Sequence, residues 1–223
     1  AAASTWGALG ALGISTSLGG AAGAAIVHLL ETLGVGDIIA VDRPGILNRA
    51  SNYPFTHWQE IASRTNRQQR TGGLAAAMRG ADVFIGVSTG GLVSPEMVTS
   101  MARHAIVFAL ANPEPEISPD LALAAGAAIT ASGRFDFPNH CNNVLAFPGL
   151  MRGALDTRAK RVSAGMCLAA ATALASMAGS NLASILPSPL EPAVHAAVAE
   201  AAAQQAVIEG LARRRVQIGE VQT

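Results

Sequence analysis

Gly20 and Gly23 occupy the second and third glycine positions of a G-x-G-x-x-G pattern, with Ala21 and Ala22 between them and Leu18 where the first glycine would stand. Where such a turn leaves a strand and opens a helix, the first helical N–H groups have no partner inside the helix and point at one spot. Phosphate oxygens can then be held by backbone alone. Asp42 closes the next apolar run, about twenty residues on, where a carboxylate can accept from the ribose hydroxyls of an adenosine diphosphate. Arg43 beside it suits a 2′-phosphate, so NAD and NADP both stay open. The same glycines would also serve merely to let a strand and an Ala-rich helix pack closely.

Other groups with chemical potential carry less. His140 and Cys141 are neighbours, but adjacent residues of an extended segment point to opposite sides, which disfavours both a nucleophilic dyad and a metal pair. His28, His57, His104 and His195 are scattered without ligand spacing and read as surface or packing residues. Asp82, Glu96, Glu114 and Glu116 precede a strand, favour a helix start or lie in a turn, and solvated structural roles are expected for all four. Met97 and Met101 share a helical face and read as core. On residue types alone, no catalytic residue and no metal ligand is assigned.

These groups must be positioned by alternating elements. Strands are expected at 14–18, 37–41, 83–87, 105–110 and 129–132, and helices at 21–33, 57–64 and 73–78. Thr56 and Gln59 have the spacing of a capping box, while Ser94-Pro95-Glu96 and Ser118-Pro119-Asp120 each put a hydroxyl, a proline and an acid at a helix start. Residues 133–149, dense in Asn, Pro and aromatics, read as an ordered loop that presents side chains. Helices are expected again at 150–158, 164–178 and from 192 to about 215. This is the grammar of an α/β chain with a doubly wound, mostly parallel, Rossmann-like sheet flanked by helices and a helical C-terminal region. One domain over 1–223 is expected, divided into an N-terminal segment (1–13), a βα core (14–132), a substrate-side loop (133–149) and the helical region (150–223).

Composition narrows the classes further. The 223 residues carry 15 basic and 15 acidic groups, so no basic field for nucleic acid or an anionic membrane is expected. Arg213, Arg214 and Arg215 make only a small basic tail. The apolar start at residues 1–13 lacks the basic region of a signal peptide, and no run is long and unbroken enough to span a bilayer. Two cysteines suit free thiols in a reducing compartment, and a cytoplasmic setting follows as an expectation. From the Ala and Gly bias a GC-rich bacterial genome is expected.

Longer runs carry a resemblance. D-I-I-A-V-D-R-P-G (37–45), G-A-D-V-F-I-G-V-S (80–88), S-P-E-M-V-T-S-M-A (94–102), F-A-L-A-N-P-E-P-E-I (108–117) and N-N-V-L-A-F-P-G-L-M-R-G-A-L-D (142–156) resemble, in order, the NAD(P)-binding domain of bacterial malic enzymes. The resemblance covers roughly residues 18–212. It implies an oxidoreductase acting on a 2-hydroxy acid, malate, with oxidative decarboxylation to pyruvate. Gly20, Gly23 and Asp42 match the family's cofactor positions, with Ala21, Ala22 and Arg43 beside them; Gly86, Val87 and Ser88 match the strand end beside the nicotinamide half. Asn112 matches an asparagine near nicotinamide and substrate, and Asn142 and Asn143 match a pair contacting the malate carboxylates. An amide donates to a carboxylate without adding a titratable group beside the hydride path. Turn capping is the competing explanation for Asn112 and Asn142.

The resemblance also implies what must come from elsewhere. In the family, the acid tyrosine, base lysine and metal-binding carboxylates lie mainly in an N-terminal domain. Here Tyr53 is the only tyrosine and Lys160 the only lysine, and neither falls in those motifs. A divalent metal (Mg or Mn) is therefore expected only where a catalytic domain or partner subunit supplies its ligands, and these residues alone should bind cofactor better than they turn over malate. A homo-oligomer is expected by the same resemblance. The alternative is a non-catalytic cofactor-sensing or assembly module that keeps the fold.

Overall fold

The computed structural model describes residues 13–17, 20–179, 181, 182 and 184–214. The expectations placed on Leu18, on residues 1–12 and on Arg215 lie outside the described residues. The chain divides into two compact units, Ala1–Phe137 and Pro138–Thr223.

The first unit is built on six strands: β1 (Gly13–Ser17), β2 (Asp37–Asp42), β3 (Gly45–Ile46), β4 (Val83–Gly86), β5 (Ile106–Ala109) and β6 (Ile129–Ser132). Their order is β3-β2-β1-β4-β5-β6, parallel except for β3, which folds back antiparallel on β2. The expected doubly wound parallel sheet is thus present. Two-residue β3 was not expected, because so short a strand leaves no alternation to read. The connections carry α1 (Ala21–Thr32), α2 (Thr56–Arg64), α3 (Leu74–Met78), α4 (Pro95–Thr99) and α5 (Pro119–Ala124).

Strand side chains alternate between faces, and this sorts the core into two layers. Val83, Ile85, Ile106 and Phe108 meet Val27 of α1 and Trp58, Ile61 and Ala62 of α2. Phe84, Val107 and Ala109 meet Met78 of α3, Val98 of α4 and Ala122 of α5, in the cluster that also takes Met97 and Met101. Both Ser-Pro starts form as expected: Ser94 Oγ accepts from Met97 N at 3.4 Å and Ser118 Oγ from Leu121 N at 3.3 Å. The Thr56–Gln59 box does not. Helix α2 begins at Thr56 itself after Phe55, with no side-chain cap, and Gln59 Oε1 accepts from Tyr53 N instead.

The second unit holds a 3-10 turn (Asn143–Leu145) and helices α6 (Phe147–Asp156), α7 (Ala164–Ser176) and α8 (Pro192–Ile208). Its core gathers Leu145, Ala170, Leu174, Val194 and Val198, with Met166, Ala202, Ala206 and Leu211 beyond. The expected loop at 133–149 is shorter than its composition suggests, since α6 already starts at Phe147; Pro148 in the first turn has no N–H to leave unpaired. Helix α8 stops at Ile208 and does not run on to 215. Gly210 takes φ 67°, a left-handed turn that glycine adopts without strain, and Leu211 N returns to Ala206 O. Gly149 and Gly153 face Val198, Ala199 and Ala202, so α6 and α8 approach closely through small residues. Among the described residues no helix is long and apolar enough to cross a membrane.

Candidate functional site

In a sheet of this order the connections diverge to opposite faces on either side of β1 and β4, which opens a crevice beyond their carboxyl ends. Ser17 lies in register with Val41 and with Gly86, which places Asp42 and Val87 one step past that row. Gly20, Asp42, Arg43 and Ser88 line one cleft of about 540 Å³ with Val41, Gly45, Gly73, Leu74, Thr89 and Leu92. A nucleotide is in the size range such a space admits.

Gly20 makes the turn into α1 with φ 77° and ψ −130°, and a Cβ built there would meet no atom within 4 Å. The position therefore combines a backbone that L side chains rarely adopt with open space in front of it. No N-cap side chain bonds the start of α1 and its first turn holds no acid, so among the described residues no such group competes with an anion for that helix start. Ala21 and Ala22, the first residues of α1, are exposed, while Gly23 is buried.

Asp42 is half-buried and its carboxylate is fixed from both sides. Arg43 N donates to Oδ1 at 2.8 Å, and the Trp58 indole Nε1–H donates to Oδ2 at 3.0 Å. The indole is itself held by the edges of Tyr53 and Phe55, with centroids 6.0 and 4.9 Å away. Arg43's side chain is exposed. The helical period marks Trp58, with Ile61 and Ala62, as core; no local signal in the sequence shows that its N–H is aimed at Asp42.

The far wall depends on a residue whose environment was misjudged. Glu116, expected to be solvated, is fully buried, and its two oxygens accept from Ser88 N at 2.9 Å and Ala111 N at 3.1 Å. It bridges the loops that follow β4 and β5. Gly86 is glycine at the point where those loops meet: a Cβ there would lie 2.4 Å from the Glu116 carboxyl carbon. A turn rich in Pro and Glu reads as exposed, and only the loop-to-loop contact turns this carboxyl inward. Glu96, by contrast, is exposed at the start of α4, and the Ser94 hydroxyl bond lowers its pKa.

The remaining candidates are placed as follows. Asn112 is exposed in the loop after β5. In the second unit, Asn142 Oδ1 accepts from Val144 N at 3.0 Å and so caps the 3-10 turn, while Asn143 is exposed. Tyr53 accepts from Asn48 N through its hydroxyl, and Lys160 is exposed. Among the described residues no group of three His, Cys, Asp or Glu side chains is placed to hold a metal ion.

Burial pushes the Cys141 thiol above its ordinary pKa, and that of Cys167 as well. A raised thiol is a poor nucleophile at neutral pH, which weighs against the His140–Cys141 dyad. Iodoacetamide at pH 7.5, followed by mass spectrometry, should alkylate Cys141 several-fold more slowly than free cysteine. Labelling of Cys141 faster than free cysteine would restore the dyad.

Comparison with known proteins meets this geometry from outside. The sequence model of the family described as "Malic enzyme, NAD binding domain" matches residues 10–207. A bifunctional malic/malolactic enzyme of Bacillus subtilis is 45% identical over 213 residues, covering 91% of this chain and 50% of that protein. An NADP-dependent malic enzyme of Rhizobium meliloti is 38% identical over 218 residues, covering 89% of this chain and 28% of that protein. The crystal structure of a malic enzyme from Pyrococcus horikoshii superposes with a TM-score of 0.90 at 38% identity, covering 96% of this chain and 52% of that one. The chain thus spans between 28% and 52% of the length of these relatives. A family model matched over residues 10–207, with relatives 45% and 38% identical along most of its length, places this chain in the malic enzyme NAD binding domain family.

Proposed function

We propose that the cleft beyond β1, β2 and β4 binds a nicotinamide dinucleotide, and that the chain is the cofactor half of an enzyme that oxidises and decarboxylates malate. One observation carries the reading: an uncapped helix start with open space at Gly20, and a carboxylate held rigid at Asp42, line the same cleft. The N–H groups of Ala21, Ala22 and Gly23 would hold the pyrophosphate, and Asp42 a ribose of the adenosine half. Gly86, Val87 and Ser88 would border the nicotinamide half, whose ring, when bound, supplies the hydride acceptor. The residues present fit that group.

Asn112, and separately Asn142 and Asn143, are proposed to donate amide N–H groups to the substrate side. The acid, the base and the ligands of a divalent metal are assigned to an N-terminal catalytic domain or a partner subunit, a reading supported by relatives about twice this length or more. Two free thiols suit a cytoplasmic setting, and a homo-oligomer is proposed by analogy with the family.

Calorimetric titration with NAD and with NADP tests the reading. At least one should bind, and Asp42→Ala should weaken that binding by about 10- to 100-fold, the range for losing hydrogen bonds to a charged group. Failure of the parent chain to bind either nucleotide, or equal affinity in the variant, removes the reading.

A further inference from the structure

The fixed carboxylate decides more than whether a nucleotide binds. Among the described residues lining the cleft, Asp42 is the one anion and Arg43 the one cation, and they are held very differently. Asp42 is half-buried with both oxygens engaged, at 2.8 Å by Arg43 N and at 3.0 Å by the Trp58 indole. The Arg43 side chain is exposed. A 2′-hydroxyl would meet an oriented acceptor; a 2′-phosphate would meet a negative charge with little freedom to turn away. Its attraction to an exposed guanidinium is screened by water and salt and requires ordering a long side chain.

We infer that Trp58 is a specificity-determining positioning residue: by pinning the Asp42 carboxylate with its indole N–H, it makes the cleft take NAD in preference to NADP. The inference rests on the nucleotide reading above and goes beyond it, because that reading holds for either cofactor. Trp58 need not touch the nucleotide. Trp58 is 8% exposed and meets Tyr53 and Phe55 in T-shaped ring contacts, so its donor is held in place by the core cluster of α1 and α2 and not by local backbone. Without the indole N–H, the Arg43 amide on Oδ1 is the one donor left to Asp42 among the described residues, and Oδ2 can rotate from the ribose position.

The test is the ratio of NADP to NAD dissociation constants, measured by calorimetry on one preparation so that any inactive fraction cancels. The parent chain should bind NAD at least about tenfold more tightly. Trp58→Phe keeps an aromatic ring and removes the donor; NAD affinity should fall while NADP affinity changes less, and the ratio should shrink at least about threefold. If the phenylalanine variant does not fold, 3-benzothienylalanine at position 58 preserves the two-ring shape and removes only the N–H, with the same shrinkage expected. Binding of both nucleotides within twofold in the parent, or an unchanged ratio in the altered protein, overturns the inference and leaves the nucleotide site standing. Binding of neither nucleotide overturns both.

Discussion

Glu116→Ala should lower the unfolding free energy of the first unit by roughly 3–5 kcal/mol, a large share of the total typical for a domain. The physical cause is specific. A fully buried carboxyl accepts the N–H groups of Ser88 and Ala111, and truncation leaves both donors without their acceptor and opens a void beneath Gly86. Glu116→Gln should lie between parent and alanine, because an amide offers one acceptor oxygen and confronts the second N–H with a donor. Ser88, Thr89 and Leu92 belong to the cleft wall that Glu116 ties down, so nucleotide affinity should fall in the same order. Urea unfolding of the three proteins measures the effect. An alanine variant within 1 kcal/mol of the parent would show that water takes over both donors at little cost, and Glu116 would lose its place as the fastening of the two loops.

The second large effect is expected in the helical unit. A Cβ at Gly153 would lie 2.4 Å from Ala199 O and 3.0 Å from Ala202 Cβ, so α6 cannot keep its seat on α8 with any side chain at that position. Backbone oxygen does not give way as a flexible side chain does. Gly153→Ala should cost about 1–3 kcal/mol, and Gly153→Leu more than that, enough to leave the unit open to protease. Gly179 supplies the contrast, since its added Cβ would first meet Ser184 O at 3.4 Å, an ordinary contact. Thermal unfolding with limited proteolysis of residues 138–223 is the measurement. Equal protection of Gly153→Leu and Gly179→Ala would mean that the helix contact is not the tight one described.

Much of the fold was legible because it rests on local periodicity. Short apolar runs of strand length mark β2, β4, β5 and β6, and the Ser-Pro-acid starts of α4 and α5 work through groups within three residues of each other. Helix α8 ends earlier than expected, since Leu211, Ala212, Arg213 and Arg214 carry helical propensity beyond Gly210, and the left-handed turn there is settled by the return of Leu211 N to Ala206 O. The capping box at Thr56 failed for a related reason. Its spacing was right, but Gln59 found the backbone of Tyr53, and side-chain partners are chosen by space as well as by sequence distance.

The cleft divides along the same line. Residue order alone determined that a glycine turn, an aspartate at a strand end and the G-V-S strand end would come to one edge of a parallel sheet, because each follows a strand at its carboxyl end and parallel strands share that end. What holds the cleft in shape was decided by packing across elements distant in the chain: Trp58 reaches Asp42 from α2, and Glu116 reaches back 28 residues to Ser88. A carboxyl or an indole looks the same in sequence whether it faces solvent or a buried N–H. Only assembly of the sheet and its loops fixes which, since the partner that offsets its desolvation is brought close by the tertiary fold.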